Sequence, residues 1–358
     1  MQVDERLSII TRNLVEVITE EELRVKLASG STLRGYIGYE PSGLVHVGHL
    51  IWMNKVRDLL EAGVRFVVLE ATWHAMINDK LGGNIELIRK AAWLMREVMR
   101  SVGIDVDRIE FVDAERLASD KDYWALVIKV MKLTTLARMK RALTIMGRSY
   151  DEAELDTSKL IYPAMQVSDI IYMDLDIALG GLDQRKAHVL QREVAERMGR
   201  KKVIALHTPI LTGLSGGKRM EGVERDDEVA AFKMSKSKAS DAIFLSDSEE
   251  EVRSKIRAAY CPPRQVEFNP VMEINKYILF ARPGFVLHVE RPQKYGGPVD
   301  FYSYQELEAA YVQGRLHPAD LKEATAEALN RVLEGPRKLF ERPDVREVVN
   351  TIESRVSR

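Results

Sequence analysis

Cysteine is nearly missing from this chain: Cys261 stands alone among 358 residues, which excludes an internal disulfide framework and a cysteine-built zinc cluster and fits a reducing compartment. Long apolar runs are missing too. No stretch approaches the length needed to span a bilayer, and Met1-Gln2-Val3-Asp4-Glu5-Arg6 opens on acidic charge with no apolar run behind it. Neither a membrane partner nor a signal peptide is therefore expected, and the expected location is cytoplasmic. No charge sign dominates: 53 Lys and Arg face 54 Asp and Glu, so any nucleic-acid surface has to be local. Repeats and low-complexity tracts are also absent. What is present, 46% apolar residues over 358 positions, suffices for two domains with a sizeable core in at least one.

The pattern is α/β. Leu33 to Tyr39 reads as a buried strand, Pro41-Ser42-Gly43 as a tight turn, and Leu50, Met53, Val56, Leu59 and Leu60 recur at helical spacing until Gly63 stops them. Val64 to Ala71 gives a second strand, completing a βαβ unit. Before it, Ile9, Ile10, Leu14, Val17 and Ile18 predict one apolar helical face within a lead-in over 1–32. After it, about 84–150 predicts a helical insert suited to dimerisation, with plain core helices as the competing reading for any single residue. Strands resume at Leu175–Leu179 and Lys202–Leu206, separated by a helix from Leu182 to Met198. The polar segment 215–232 predicts a mobile surface loop. The expected domains are a Rossmann-type catalytic domain over 1–230, a loop and linker over 231–262, and a mainly helical domain over 263–358.

Two short strings carry the chemistry. His46-Val47-Gly48-His49 falls where the first helix begins, so the imidazoles join backbone N–H groups and the positive helix end in an anion site, and Gly48 leaves room for a flat base to pack against the backbone. Lys233-Met234-Ser235-Lys236-Ser237 puts two ammonium groups on a Ser-rich loop able to meet charge developing on a leaving pyrophosphate. Each string alone is a weak signal; paired across an open sheet they describe two halves of one ATP site. Pro163 suits a helix's first position, so Tyr162, Gln166 and Asp169 fall at i, i+4 and i+7 on one face. A polar stripe on an otherwise apolar helix reaches solvent or lines a pocket.

With these strings, and with Tyr36–Gly43, Ile161–Asp169, Gly180–Lys186 and His317–Lys322 in this order, the chain resembles the class I aminoacyl-tRNA synthetases, and within them the archaeal and eukaryotic type of tyrosyl-tRNA synthetase. The resemblance implies ATP with Mg2+ as substrate complex, L-tyrosine and tRNA(Tyr) as partners, a homodimer, and no prosthetic group or resident metal. It implies that Tyr162 and Gln166 hold the amino acid's ammonium, that Asp169 with Tyr36 holds its phenolic hydroxyl, and that Gln184 is a further substrate contact. It implies Gly48, Gly180 and Asp183 for ATP, Asp183 on the ribose, and His46, His49, Lys233 and Lys236 for transition-state charge. For tRNA it implies Tyr295 and Asp320 at the first anticodon base; a surface aromatic in a turn and a plain helix-start acid are the competing readings. Basic candidates for phosphates are Arg138, Lys140, Arg141 and Arg148, with Arg185 and Lys186 toward the acceptor end, against solvated helix faces as the alternative. Thr72 stands where family members often carry an acid, and His74 two residues on has no assigned role. A tryptophanyl enzyme, a tRNA-independent nucleotidyltransferase and an inactive RNA-binding paralogue are the rival readings.

Overall fold

The computed structural model describes residues 1–147, 156–217, 232–234 and 239–356. Six strands form one sheet: β1 (Glu16–Ile18), β2 (Arg34–Tyr39), β3 (Arg65–Glu70), β4 (Ile109–Asp113), β5 (Ile177–Gly181) and β6 (Ile204–Thr208), in spatial order β1-β6-β5-β2-β3-β4. Every pairing is parallel except that of β1 with β6. The chain winds outward from β2 through β3 to β4, then resumes on the other side of β2 with β5 and β6. The winding reverses between β2 and β5, and at such a reversal a crevice opens beyond the carboxyl ends of the strands. Tyr36 lies there in register with Val67 on one side and Ala178 on the other.

The lead-in is not one helix. α1 (Val3–Thr11) ends before Asn13, whose φ of 60° is left-handed, and α2 (Glu20–Ala28) begins after Thr19 caps the Glu22 N–H. Between them Val17 and Ile18, expected on a helical face, join β6 as β1, and Val15 N donates to His207 O at 2.9 Å. β-branched residues opposite the open edge of β6 gain a ladder that an isolated helical turn does not supply. α3 (His49–Glu61) and β3 follow as expected, with Gly63 at φ 76° making the stop.

The helical insert likewise holds a strand. α4 (Thr72–Ile77) and α5 (Ile85–Ser101) precede Gly103 at φ 81°, after which β4 pairs with β3 as the sheet edge. Then come α6 (Ala114–Ala118), α7 (Lys121–Lys132), α8 (Leu136–Ala142), α9 (Tyr162–Tyr172) and α10 (Arg185–Arg197). Leu182–Gln184 is a short 3-10 turn ahead of α10, where the helix was expected to start at Leu182. Tyr36, Val67, Leu69 and Val112 of the sheet pack with Tyr123, Val127 and Val130 of α7, Met165 and Ile170 of α9, and Leu190 and Val194 of α10.

The chain divides into two compact units. Unit 1 comprises residues 1–43, 55–208 and 344–358 and contains the sheet; unit 2 comprises 44–54 and 209–343. Unit 2 holds α11 (Glu249–Ala258), α12 (Pro270–Ile274), a hairpin of β7 (Leu287–Val289) and β8 (Val299–Phe301), α13 (Tyr304–Val312) and α14 (Pro318–Phe340). α15 (Pro343–Val356) belongs to unit 1 from Asp344 onward. This partition differs from the expected run of 1–230, 231–262 and 263–358. Residues 44–54 group with the later chain because His46 bridges Phe244 and Val47 N donates to Ile243 O at 2.9 Å. Among the described residues no helix is long and apolar enough to cross a membrane.

Candidate active site

Tyr162 opens α9, and Pro163 sits in its first turn, where a missing N–H leaves no carbonyl unpaired. Asp169 follows two turns later and is 1% exposed. Its Oδ1 accepts from the Tyr123 hydroxyl at 2.8 Å, and its Oδ2 lies 3.0 Å from His74 Nε2 without the alignment of a hydrogen bond. The neighbouring Tyr36 hydroxyl accepts from Gln166. Gln166 Nε2 also donates to Gln184 Oε1 at 3.2 Å, and Gln184 Nε2 donates to Ile145 O at 3.1 Å. Gln166 Oε1 is buried and has no hydrogen-bond partner among the described residues. Tyr162 donates to Glu40, which also accepts two hydrogen bonds from Asn78 Nδ2, at 2.9 and 3.1 Å. Burial first, then the nearby carboxylates, pushes the Tyr36, Tyr123 and Tyr162 hydroxyls well above the usual phenol range, so all three stay protonated. Unit 1 thus gathers Tyr36, Tyr162, Gln166, Asp169 and Gln184. Tyr123 and Glu40 were not foreseen, and His74 was foreseen without a role. Tyr123 sits in an amphipathic helix where an aromatic at core spacing is ordinary packing, so only its long-range partner distinguishes it.

Gly180 lies in β5, and a Cβ there would come within 3.0 Å of both Gln184 Cβ and His188 Cε1. Asp183 follows in the 3-10 turn at the carboxyl end of that strand. Arg185 is engaged: its Nε donates to both oxygens of Glu16, at 2.9 and 3.0 Å. Glu16 accepts from His207 Nδ1 at 2.7 Å, which leaves His207 Nε2 to accept from His188 Nδ1 at 3.0 Å. Burial holds His188 well below the usual histidine range, and burial followed by Arg185 lowers His207 to about 4.

In unit 2, His49 is the first residue of α3, while His46 precedes the helix in an extended bridge, not on its opening turn as expected. The rings meet edge to face at 4.2 Å, and Gly48 N donates to His46 Nδ1 at 3.2 Å, so the His46 ring proton resides on Nε2. A Cβ on Gly48 would lie 2.9 Å from that ring and 3.8 Å from Leu211 Cβ. Leu211 O accepts from Met234 N at 2.7 Å, and Thr212 bridges Lys233, so the glycine turn and the first lysine are brought together within this unit. Glu273 anchors that ladder by accepting from Thr212 N at 2.8 Å and Thr212 Oγ1 at 2.9 Å. Lys236, Arg148 and most of the acidic segment, 218–231, lie outside the described residues.

Tyr295 is 61% exposed, in the turn Gln293–Tyr295, and Asp320 is in the first turn of α14, behind the N-cap His317. Arg291 ties the two regions by donating to Gly297 O at 2.6 Å and Arg315 O at 2.8 Å. Arg138 pairs bidentately with Glu193, and Arg141 is exposed on α8 beside Lys140.

The family model for class I tRNA synthetases (W and Y) matches residues 28–222 and 227–334. The tyrosine–tRNA ligase of Aeropyrum pernix is 60% identical over the whole chain and 99% of its own length, and that of Saccharolobus islandicus is 58% identical over the full length of both. The chain belongs to the tyrosine–tRNA ligase family. The crystal structure of tyrosyl-tRNA synthetase from Aeropyrum pernix superposes with a TM-score of 0.89 at 55% identity over 99% of this chain and all of that one. The L-tyrosine complex of the Pyrococcus horikoshii enzyme superposes at 0.90 with 40% identity, over 98% of this chain and all of that one. Membership in this ligase family makes the chain an enzyme of tRNA aminoacylation, and it removes the tryptophanyl, tRNA-independent and inactive readings together.

Proposed function

We propose that this ligase selects L-tyrosine in unit 1 through the row Tyr162, Gln166 and Asp169 on one face of α9. Gln166 Oε1, without a partner among the described residues, and the Tyr162 side chain receive the ammonium, Gln184 makes a further substrate contact, and Asp169 and Tyr36 receive the phenolic hydroxyl. A phenylalanine ring would leave the Asp169 carboxylate desolvated and short of a partner, a cost of about 1–3 kcal/mol or more for a charged group. Gly180 and Asp183 meet ATP, Asp183 at its ribose. Gly48 leaves room for the base, His46, His49, Lys233 and Lys236 meet the phosphates, and ATP enters as its Mg2+ complex.

The tyrosine carboxylate attacks the α-phosphorus in line, forming tyrosyl-adenylate and expelling pyrophosphate; a hydroxyl of the terminal ribose of tRNA(Tyr) then takes the tyrosyl group. No covalent enzyme intermediate is needed. Positioning and charge stabilisation supply the catalysis: the His46 Nε2 proton and the lysine ammonium groups face developing negative charge. Tyr295 and Asp320 read the first anticodon base, Arg185 serves the acceptor end, and the insert carries the homodimer contact. Ile128 and Leu136, both more than half exposed on the insert, support that last assignment.

The buried Asp169 carries the substrate choice. Amino-acid-dependent exchange of labelled pyrophosphate into ATP, run with tyrosine, tryptophan and phenylalanine, tests it. Wild type is expected to exchange with tyrosine alone, and Asp169→Asn to lose roughly 100-fold with tyrosine while phenylalanine changes little. Undiminished tyrosine exchange in that variant would overturn the reading.

A further inference from the structure

The carboxylate of Asp169 is held by more than its own helix. Tyr123, on α7, donates its hydroxyl to Oδ1 at 2.8 Å and is itself 1% exposed. Its ring is gripped edge to face by Trp124 at 5.7 Å and by Tyr172 at 5.6 Å. The hydroxyl also lies 3.5 Å from a second acceptor, Met165 O. His74, on α4, flanks the other oxygen at 3.0 Å but out of hydrogen-bond alignment, and its ring stands edge-on to Tyr162 at 5.1 Å. Tyr123 therefore supplies the one well-formed side-chain hydrogen bond to Asp169 among the described residues, from a ring that packing prevents from turning away.

We propose that Tyr123 is the positioning residue for tyrosine-over-phenylalanine selectivity. It occupies Oδ1 of Asp169 and fixes the carboxyl plane, so that the remaining lone pairs are presented in one orientation to an incoming hydroxyl. A carboxylate so fixed cannot swing to another donor when the substrate lacks a hydroxyl, and phenylalanine meets the full cost of an unpaired buried acceptor. Without the Tyr123 hydroxyl, Asp169 is free to turn toward His74 or Tyr36. It then gains less from tyrosine and loses less to phenylalanine. The proposal rests on the reading that Asp169 receives the substrate phenol.

The test is pyrophosphate exchange by the full-length enzyme with tyrosine and with phenylalanine, in Tyr123→Phe, Asp169→Asn and the double variant, with folding checked by near-ultraviolet circular dichroism. Tyr123→Phe is expected to lower the ratio of kcat/KM for tyrosine over phenylalanine by roughly 10- to 100-fold, the range of one hydrogen bond to a charged group. The loss should lie in KM for tyrosine with kcat nearly kept, and the double variant should be no less selective than Asp169→Asn. A purely structural role would move both substrates equally, and an unchanged ratio in a folded Tyr123→Phe enzyme overturns the proposal while leaving the reading of Asp169 intact. An unchanged ratio in Asp169→Asn overturns that reading and the proposal with it. A tighter KM for tyrosine in Tyr123→Phe would mean that Tyr123 competes with the substrate, which also overturns the proposal. His74→Asn keeps the Tyr123 hydrogen bond and is expected to hold the ratio within a few-fold; a larger fall would assign the role to His74 instead, a result that stands even if Tyr123→Phe does not fold.

Discussion

Single atoms decide how the turn from His46 to His49, the proposed phosphate end, is set. Gly48 was expected to leave space for a flat base, and the structure adds a nearer constraint: the missing Cβ leaves room for the His46 ring, which accepts from the Gly48 N–H. Gly48→Ala would push that ring aside and break the bond that keeps its proton on Nε2. Losing one such aligned donor corresponds to about 1.5 kcal/mol. The rate of tyrosyl-adenylate formation in a single turnover should fall roughly 10-fold, with KM for tyrosine unchanged because the pocket uses other residues. A full rate would mean that His46 does not need this orientation. The proposed pocket follows the same logic in reverse: Gln166 has its amide donors engaged and its buried oxygen without a partner among the described residues, an arrangement that costs stability until a donor arrives.

Elements decide how these atoms are held. The ladder that carries Lys233 is short, and Glu273 of α12 secures it through both the backbone and the side chain of Thr212. Burial pushes the Glu273 carboxyl from 4.5 to about 7, despite the two hydrogen bonds from Thr212 that favour its charged form. Because the folded value lies above the unfolded one, the folded state binds more protons between those limits. This stabilising contribution is complete below pH 4.5 and is lost as pH rises through 7, by roughly 3 kcal/mol in all. Urea unfolding of wild type between pH 5 and 8 should therefore lose stability relative to Glu273→Gln, which cannot titrate. Parallel curves for the two proteins would contradict the assignment. The buried pair His188 and His207 acts in the opposite direction and at lower pH: both stay neutral when folded, so their contribution is present near pH 7 and fades as pH falls below 6.5.

At the scale of the whole molecule, the residues proposed to select tyrosine belong to one compact unit and the exposed Tyr295 to the other. Stacking of a base on an exposed aromatic is worth about 1–3 kcal/mol. Tyr295→Ala should accordingly lower kcat/KM for charging tRNA(Tyr) by roughly 10- to 100-fold and leave pyrophosphate exchange untouched. Equal loss in both assays would make Tyr295 a folding residue. The βαβ unit around His49, the α9 stripe and the two motif strings were legible from sequence, because each depends on spacing within a few residues of its own chain. β1 and β4 were not. Their residues could serve a helix or a strand, and the choice fell to the unpaired edges of β6 and β3, which exist only once the sheet has formed. The donor from Tyr123 to Asp169 was hidden for the same reason. Local periodicity determined which residues share a face. Contacts between residues distant in the chain, which no local pattern encodes, decided which of those faces meet and therefore which carboxylate has a fixed neighbour.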